Sequence, residues 1–154
     1  MPGLVSARLA ELGITLPAPA SPVANYVPFV VAGSLAVISG QGPLAGEERI
    51  LGKLGAGLDI AAGQRAARLC FINVLAQLQA ACAGDLDRVR RVIRLGGFVA
   101  ATADFTAHAT VMNGASDLAV AVFGEAGRHA RTTVGVPSLP LDFAVEIEGL
   151  FEIA

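Results

Sequence analysis

The chain has no tryptophan, one tyrosine (Tyr26), one lysine (Lys53), two cysteines and two histidines in 154 residues. Charged residues make up 16% of it, against roughly 25% in an ordinary soluble domain. Eleven basic residues face 13 acidic ones, for a formal net charge of -2. The one basic concentration is Arg88, Arg90, Arg91 and Arg94, and in a strand-like segment that reads as solvated edge. Nothing here forms the basic footprint that nucleic-acid binding needs. Cys70 and Cys82 lie twelve residues apart in what reads as one helix. That separation is ~18 Å, too far for a disulfide, so both read as helical core. His108 and His129 have no acid or thiol at ligand spacing, so no zinc site is expected, and no other metal or cofactor is called for. A Gly-x-Ser-x-Gly element is missing, which leaves a serine-hydrolase triad unsupported. No run of 18 apolar residues occurs, and Met1-Pro2-Gly3 lacks the basic start of a secretory signal. A cytoplasmic setting without membrane contact is expected.

What is present is apolar: 54% of residues are hydrophobic, and mean hydropathy is +0.63. A chain of this length folds as one domain and buries roughly 70% of its unfolded surface. So little charge cannot cover the remainder, so some apolar surface should meet another subunit. Residues 4 to 13 pattern as a short helix, followed by an extended connector carrying Pro17, Pro19, Pro22 and Pro28. Val27–Val31 and Leu35–Ser39 read as a hairpin around Ala32-Gly33-Ser34. Gly40 and Gly42, just after it, would let backbone come close to a ligand. Residues 43 to 57 read as loop. Gly46 to Gly52-Lys53 is one residue too long for a phosphate loop, and Gly55-Ala56-Gly57 lacks the third glycine of a dinucleotide fingerprint.

A helix is expected from Asp59 to Ala83, with Phe71, Leu75, Leu78 and Cys82 inward and Arg65, Arg68, Asn73 and Gln77 largely elsewhere. Val89–Ala101 reads as a strand interrupted at Gly96-Gly97, and Ser116–Glu125 as a second helix capped by Asn113 or Ser116. His108 falls in the loop or cap before it. The last two strands, Ala130–Val136 and Phe143–Ile153, read as a hairpin across Pro137-Ser138-Leu139-Pro140. Phe143, Val145, Ile147, Phe151 and Ile153 alternate with Asp142, Glu146, Glu148 and Glu152, while His129, Arg131 and Thr133 share one side of the other strand. The order β-β-α-β-α-β-β gives an α+β fold, a mixed sheet with both helices on one face. The acids and Arg131 are expected on the opposite face, free for a subunit or ligand.

Tyr26, Ser39-Gly40-Gln41-Gly42-Pro43, the long helix, Ala130-Arg131, Leu139-Pro140 and Val145-Glu146-Ile147-Glu148 resemble the RidA (YjgF-like) family of reactive intermediate deaminases, over residues 24 to 153. The resemblance implies a chorismate-mutase-like fold and a homotrimer with clefts between subunits. It also implies hydrolysis of enamines and imines of amino acids to 2-oxo acids and ammonia without metal or cofactor. Older family labels are endoribonuclease and translation inhibitor. By position, Arg131 matches the arginine that grips the substrate carboxylate and Glu146 the glutamate that positions water. Tyr26, Ser39 and Gly40 match cleft-facing residues, and Asn113 matches the cleft asparagine. Thr133 stands where many members carry cysteine, and His129 where proline or alanine is common. Residues 1 to 23 form an N-terminal extension expected to pack on the 24–154 domain.

The residues suit that chemistry. An arginine fork makes two charge-assisted bonds to a carboxylate. A glutamate can hold water and take a proton, and a protonated imine needs little more than positioning. His129 reads either as a second proton carrier or as a hydrogen-bonded interface residue. Arg131 and Glu146 could instead simply pair across neighbouring strands. At the level of activity, the alternatives are a non-catalytic carboxylate-binding trimer and, disfavoured by charge, a ribonuclease or translation inhibitor.

Overall fold

A computed structural model describes residues 1–21 and 24–154, so Pro22 of the expected connector lies outside the described residues. Helix α1 is Leu4–Glu11. Strands β1 (Phe29–Ala32) and β2 (Leu35–Gln41) form the expected hairpin, with Gly33 at φ 60° in its turn. The stretch read as loop carries four two-residue strands: β3 (Leu44–Ala45), β4 (Glu48–Arg49), β5 (Lys53–Leu54) and β6 (Gly57–Leu58). Helix α2 is Ile60–Ala81, strand β7 Val89–Ala100, helix α3 His108–Phe123, strand β8 Ala130–Val136 and strand β9 Val145–Ile153. The main sheet has the order β1-β2-β9-β7-β8. It is mixed: β7 and β8 run parallel, and β9 is antiparallel to both β2 and β7. Helices α2 and α3 pack on one face, so the α+β architecture is as expected.

The Asp59 side chain accepts from the Ala62 N–H at 2.8 Å and starts α2. Phe71, Leu75, Leu78 and Cys82 are fully buried, together with Cys70. Gln77 departs from expectation: it is 1% exposed and donates from Nε2 to the Ala20 carbonyl at 2.8 Å. A polar group can sit there because the N-terminal segment supplies its partner. In α1, Val5 and Leu9 join the core, the Leu4 and Val5 N–H groups donate to the Asp87 carboxylate, and Arg8 donates to the Val122 carbonyl.

Two further departures, in strand order and in the start of the second helix, bear on the site. The last two strands are not a hairpin, because β7 lies between β8 and β9. Helix α3 carries the chain from β7 back to a parallel β8, as parallel pairing requires, and Pro137–Pro140 then leads over the sheet end to β9. The second helix also begins at His108, eight residues before Ser116, so Asn113 and Ser116 lie inside it. Its start at Ala107 has no side-chain cap, which is why no start signal was visible.

Helices α2 and α3 touch closely at Gly114, where a Cβ would overlap the Gln64 carbonyl oxygen of α2. Backbone cannot yield as a flexible side chain can. Gly114→Ala is therefore expected to destabilise the fold by about 1–3 kcal/mol despite a better helix propensity. Urea midpoints of the variant and wild type check this, and an unchanged midpoint would refute it.

Candidate functional site

Side-chain alternation on β9 sends Val145, Ile147, Phe151 and Ile153 to the helix side and Glu146 and Glu148 to the open face. On β8, Arg131 is level with Leu95 and Thr133 with Gly97. Leu95 is in the core and a Cβ on Gly97 would meet Met112 of α3, so Arg131 and Thr133 face the helices. Arg131 is thus not on the acids' face, contrary to expectation. The reason is topological: β8 is the edge strand beside β7, and its helix-side residues emerge at the rim beyond α3. Nor can Arg131 and Glu146 pair across neighbouring strands, since their strands are not neighbours.

The predicted residues therefore fall into two groups within one protomer. The first sits between α3 and β8. Arg131 Nη1 donates to Asn113 Oδ1 at 2.9 Å and to Ser116 Oγ at 3.0 Å, and Nη2 donates to the Ala109 carbonyl at 3.3 Å. Of five guanidinium N–H groups, this leaves Nε–H and one on Nη2 without a partner among the described residues. His129 Nε2 lies 3.0 Å from Ser116 Oγ, and its Nδ1 lies 2.6 Å from the Gly127 carbonyl. A cleft of about 260 Å³ opens over Arg131, Asn113, Ser116 and His129. Burial pushes the His129 pKa down, the Gly127 hydrogen bond opposes this, and the Arg131 charge adds to the lowering. Thr133 follows on the same side, with its Oγ1 buried and unpartnered among the described residues.

The second group lies at the far end of β2 and on the open face. The β2–β9 register slips between Ile38 and Gln41, making a bulge at Ser39-Gly40. A Cβ on Gly40 would collide with the Glu146 carboxyl, so glycine here leaves room for that carboxylate. Ser39 Oγ donates to the Val27 carbonyl at 2.7 Å, which ties the segment carrying Tyr26 to the bulge. Tyr26 is 51% exposed. Burial, and then the charge of Glu148, push the Glu146 pKa up. Glu148 itself contacts Arg94 at 3.5 Å across the sheet.

Ser116 and the Ala109 carbonyl were missed in the sequence. Asn113 and Ser116 are three residues apart, so one helix face presents both, but this is visible only once the helix is known to start at His108.

The family described as "YjgF/chorismate mutase-like, putative endoribonuclease" matches residues 6–152. Protein TCP17 of Trypanosoma cruzi is 50% identical over 153 residues, 98% of this chain and 95% of that one. A protein of unknown function from Agrobacterium tumefaciens is 48% identical, with a TM-score of 0.92 over 98% of this chain and 93% of its own. The Escherichia coli protein TdcF, solved with bound serine, is 26% identical with a TM-score of 0.63, over 92% and 97% of the two chains.

Proposed function

Because the chain belongs to the YjgF/RidA family, we propose that it is a homotrimer that hydrolyses reactive 2-imino and enamine acids to 2-oxo acids and ammonia in clefts between subunits. The observation that carries this is the division of the site. A carboxylate fork at Arg131 faces the rim of α3, and a half-buried Glu146 with a raised pKa faces the other side of the sheet. One protomer cannot apply both to one small substrate, but the rim of one copy against the open face of another can. That open face carries exposed apolar side chains for such a contact, Val30 and Val37 among them at 52% and 48%. TdcF holds serine, a small amino acid with a carboxylate, and a ligand of that class fits the open edge of Arg131.

In this reading the Arg131 fork binds the carboxylate of the protonated imine and orients its carbon. Glu146 takes a proton from water as the oxygen adds to that carbon. Glu146 returns that proton to nitrogen, the C–N bond breaks, and the hydroxyl proton passes through Glu146 to the departing ammonia, leaving the 2-oxo acid and ammonium. Water and imine thus give ketone and ammonia with no redox change.

The test generates an imino acid in situ and follows ammonia release. Acceleration by wild-type protein supports the deaminase. Binding of 2-oxobutanoate without acceleration would favour a carboxylate-binding trimer. The family description mentions an endoribonuclease, and salt-dependent RNA binding would be its mark. A net charge of -2 predicts none at low salt.

A further inference from the structure

Two residues beside Arg131 are not accounted for by carboxylate binding alone. The Gly127 carbonyl can only accept, so its 2.6 Å contact requires the hydrogen of His129 on Nδ1. The neutral ring then offers a lone pair at Nε2, and the Ser116 hydroxyl, 3.0 Å away, must donate to it. With its hydrogen committed, Ser116 Oγ presents lone pairs, and Arg131 Nη1 donates to them at 3.0 Å. Every link runs in one sense: Arg131 to Ser116, Ser116 to His129, His129 to Gly127. Asn113 Oδ1 takes the other Nη1 hydrogen at 2.9 Å. Both hydrogens of Nη1 are then fixed, which removes rotation of the guanidinium plane and leaves Nε–H and one Nη2–H as the open edge.

We propose that Ser116 and His129 are positioning residues that act through Arg131: the imidazole orients the Ser116 hydroxyl as an acceptor, and the hydroxyl holds the guanidinium edge-on to the carboxylate. This rests on the carboxylate reading of Arg131. Burial and the Arg131 charge push the His129 pKa down against the Gly127 hydrogen bond, in the direction of the neutral ring that the chain of hydrogen bonds requires. The other charged groups around the cleft are Asp117 of α3 and Arg128, the latter paired with Glu125 at 3.0 Å. The device depends on this chain's own pair, a histidine before Ala130-Arg131 and a serine three residues after Asn113. Ser116 acts here as a relay: its hydrogen goes to His129 Nε2 and one of its two Oγ lone pairs takes the Arg131 hydrogen bond.

Two measurements test it. In the ligand-free protein, nitrogen NMR of the His129 ring should show hydrogen on Nδ1, and Arg131→Ala should raise the His129 pKa by removing a neighbouring cation. In calorimetry with 2-oxobutanoate, Ser116→Ala should weaken binding about tenfold, the worth of one charge-assisted hydrogen bond. Ser116→Thr, which keeps the hydroxyl, should restore it to within about threefold. An Nε2–H tautomer, a His129 pKa indifferent to Arg131→Ala, or equal affinity of Ser116→Ala and wild type would each overturn the proposal. If wild type binds no 2-oxo acid, the carboxylate reading of the site fails. The positioning proposal fails with it, and the tautomer and pKa then show whether the hydrogen-bonded chain exists without that role.

Discussion

Arg131→Ala and Glu146→Gln, each inactive alone, are expected to recover activity when the two chains are mixed in one oligomer. Alone, Arg131→Ala removes a charge-assisted fork and should lower kcat/KM for an imino acid by about two to three orders of magnitude. Glu146→Gln removes the proton acceptor and should cost about 10²–10⁴-fold. If the two residues of a working site come from different chains, an intact site needs a neighbour pair. One chain supplies Arg131 and carries the glutamate change, and the next supplies Glu146 and carries the arginine change. Random mixing of equal amounts in a closed ring places about one quarter of the sites in that arrangement. Unfolding and refolding the mixture, followed by ammonia release, therefore should recover about a quarter of wild-type turnover. Recovery of nothing, from a mixture shown to contain hybrid oligomers, would mean that one chain holds a whole site. The division of Arg131 and Glu146 between two sides of the sheet would then need another account.

The same division marks the limit of what could be read in the sequence. Alternation along Val145–Ile153 correctly separated inward aliphatics from outward acids, because burial of one sheet face imposes a period of two. The stripe from Phe71 to Cys82 was legible for the same reason at helical period. Period alone does not say which strand lies beside which. Pro137–Pro140 looks like a hairpin turn, yet β7 takes the place between the two strands, and that pairing is set by the crossover through α3. The placement of Arg131 followed from this neighbour and not from its own strand. Asn113 and Ser116 misled for a related reason. Polar residues of these types inside a helix compete with its backbone bonds and so read as caps. Here they remain inside α3 because Arg131 takes their oxygens. The polar interruption that looked like a helix boundary is the part of the helix that touches the site.

Glu148→Gln is expected to move the acid limb of the pH–rate profile to lower pH. Glu146 must be ionised to accept a proton from water, so activity falls as pH drops through its pKa. Burial raises that pKa first, and the Glu148 charge raises it further. Both effects penalise the ionised form, so they place the limb above the position of an ordinary glutamate. Neutralising Glu148 removes the second effect and leaves the first. It also frees Arg94, now 3.5 Å from Glu148, whose cation then favours ionised Glu146 as well. Both changes lower the pKa, so the limb moves in one direction only, with little change in the rate on the plateau. Glu146→Asp separates this from a general effect of surface charge. It retains an ionisable group but draws the carboxyl back from the Ser39-Gly40 bulge, so its plateau should fall while a limb remains. A profile that ignores both substitutions would show that the titrating group is elsewhere. Loss of the limb with Glu148→Gln would show that Glu148, rather than Glu146, carries the proton.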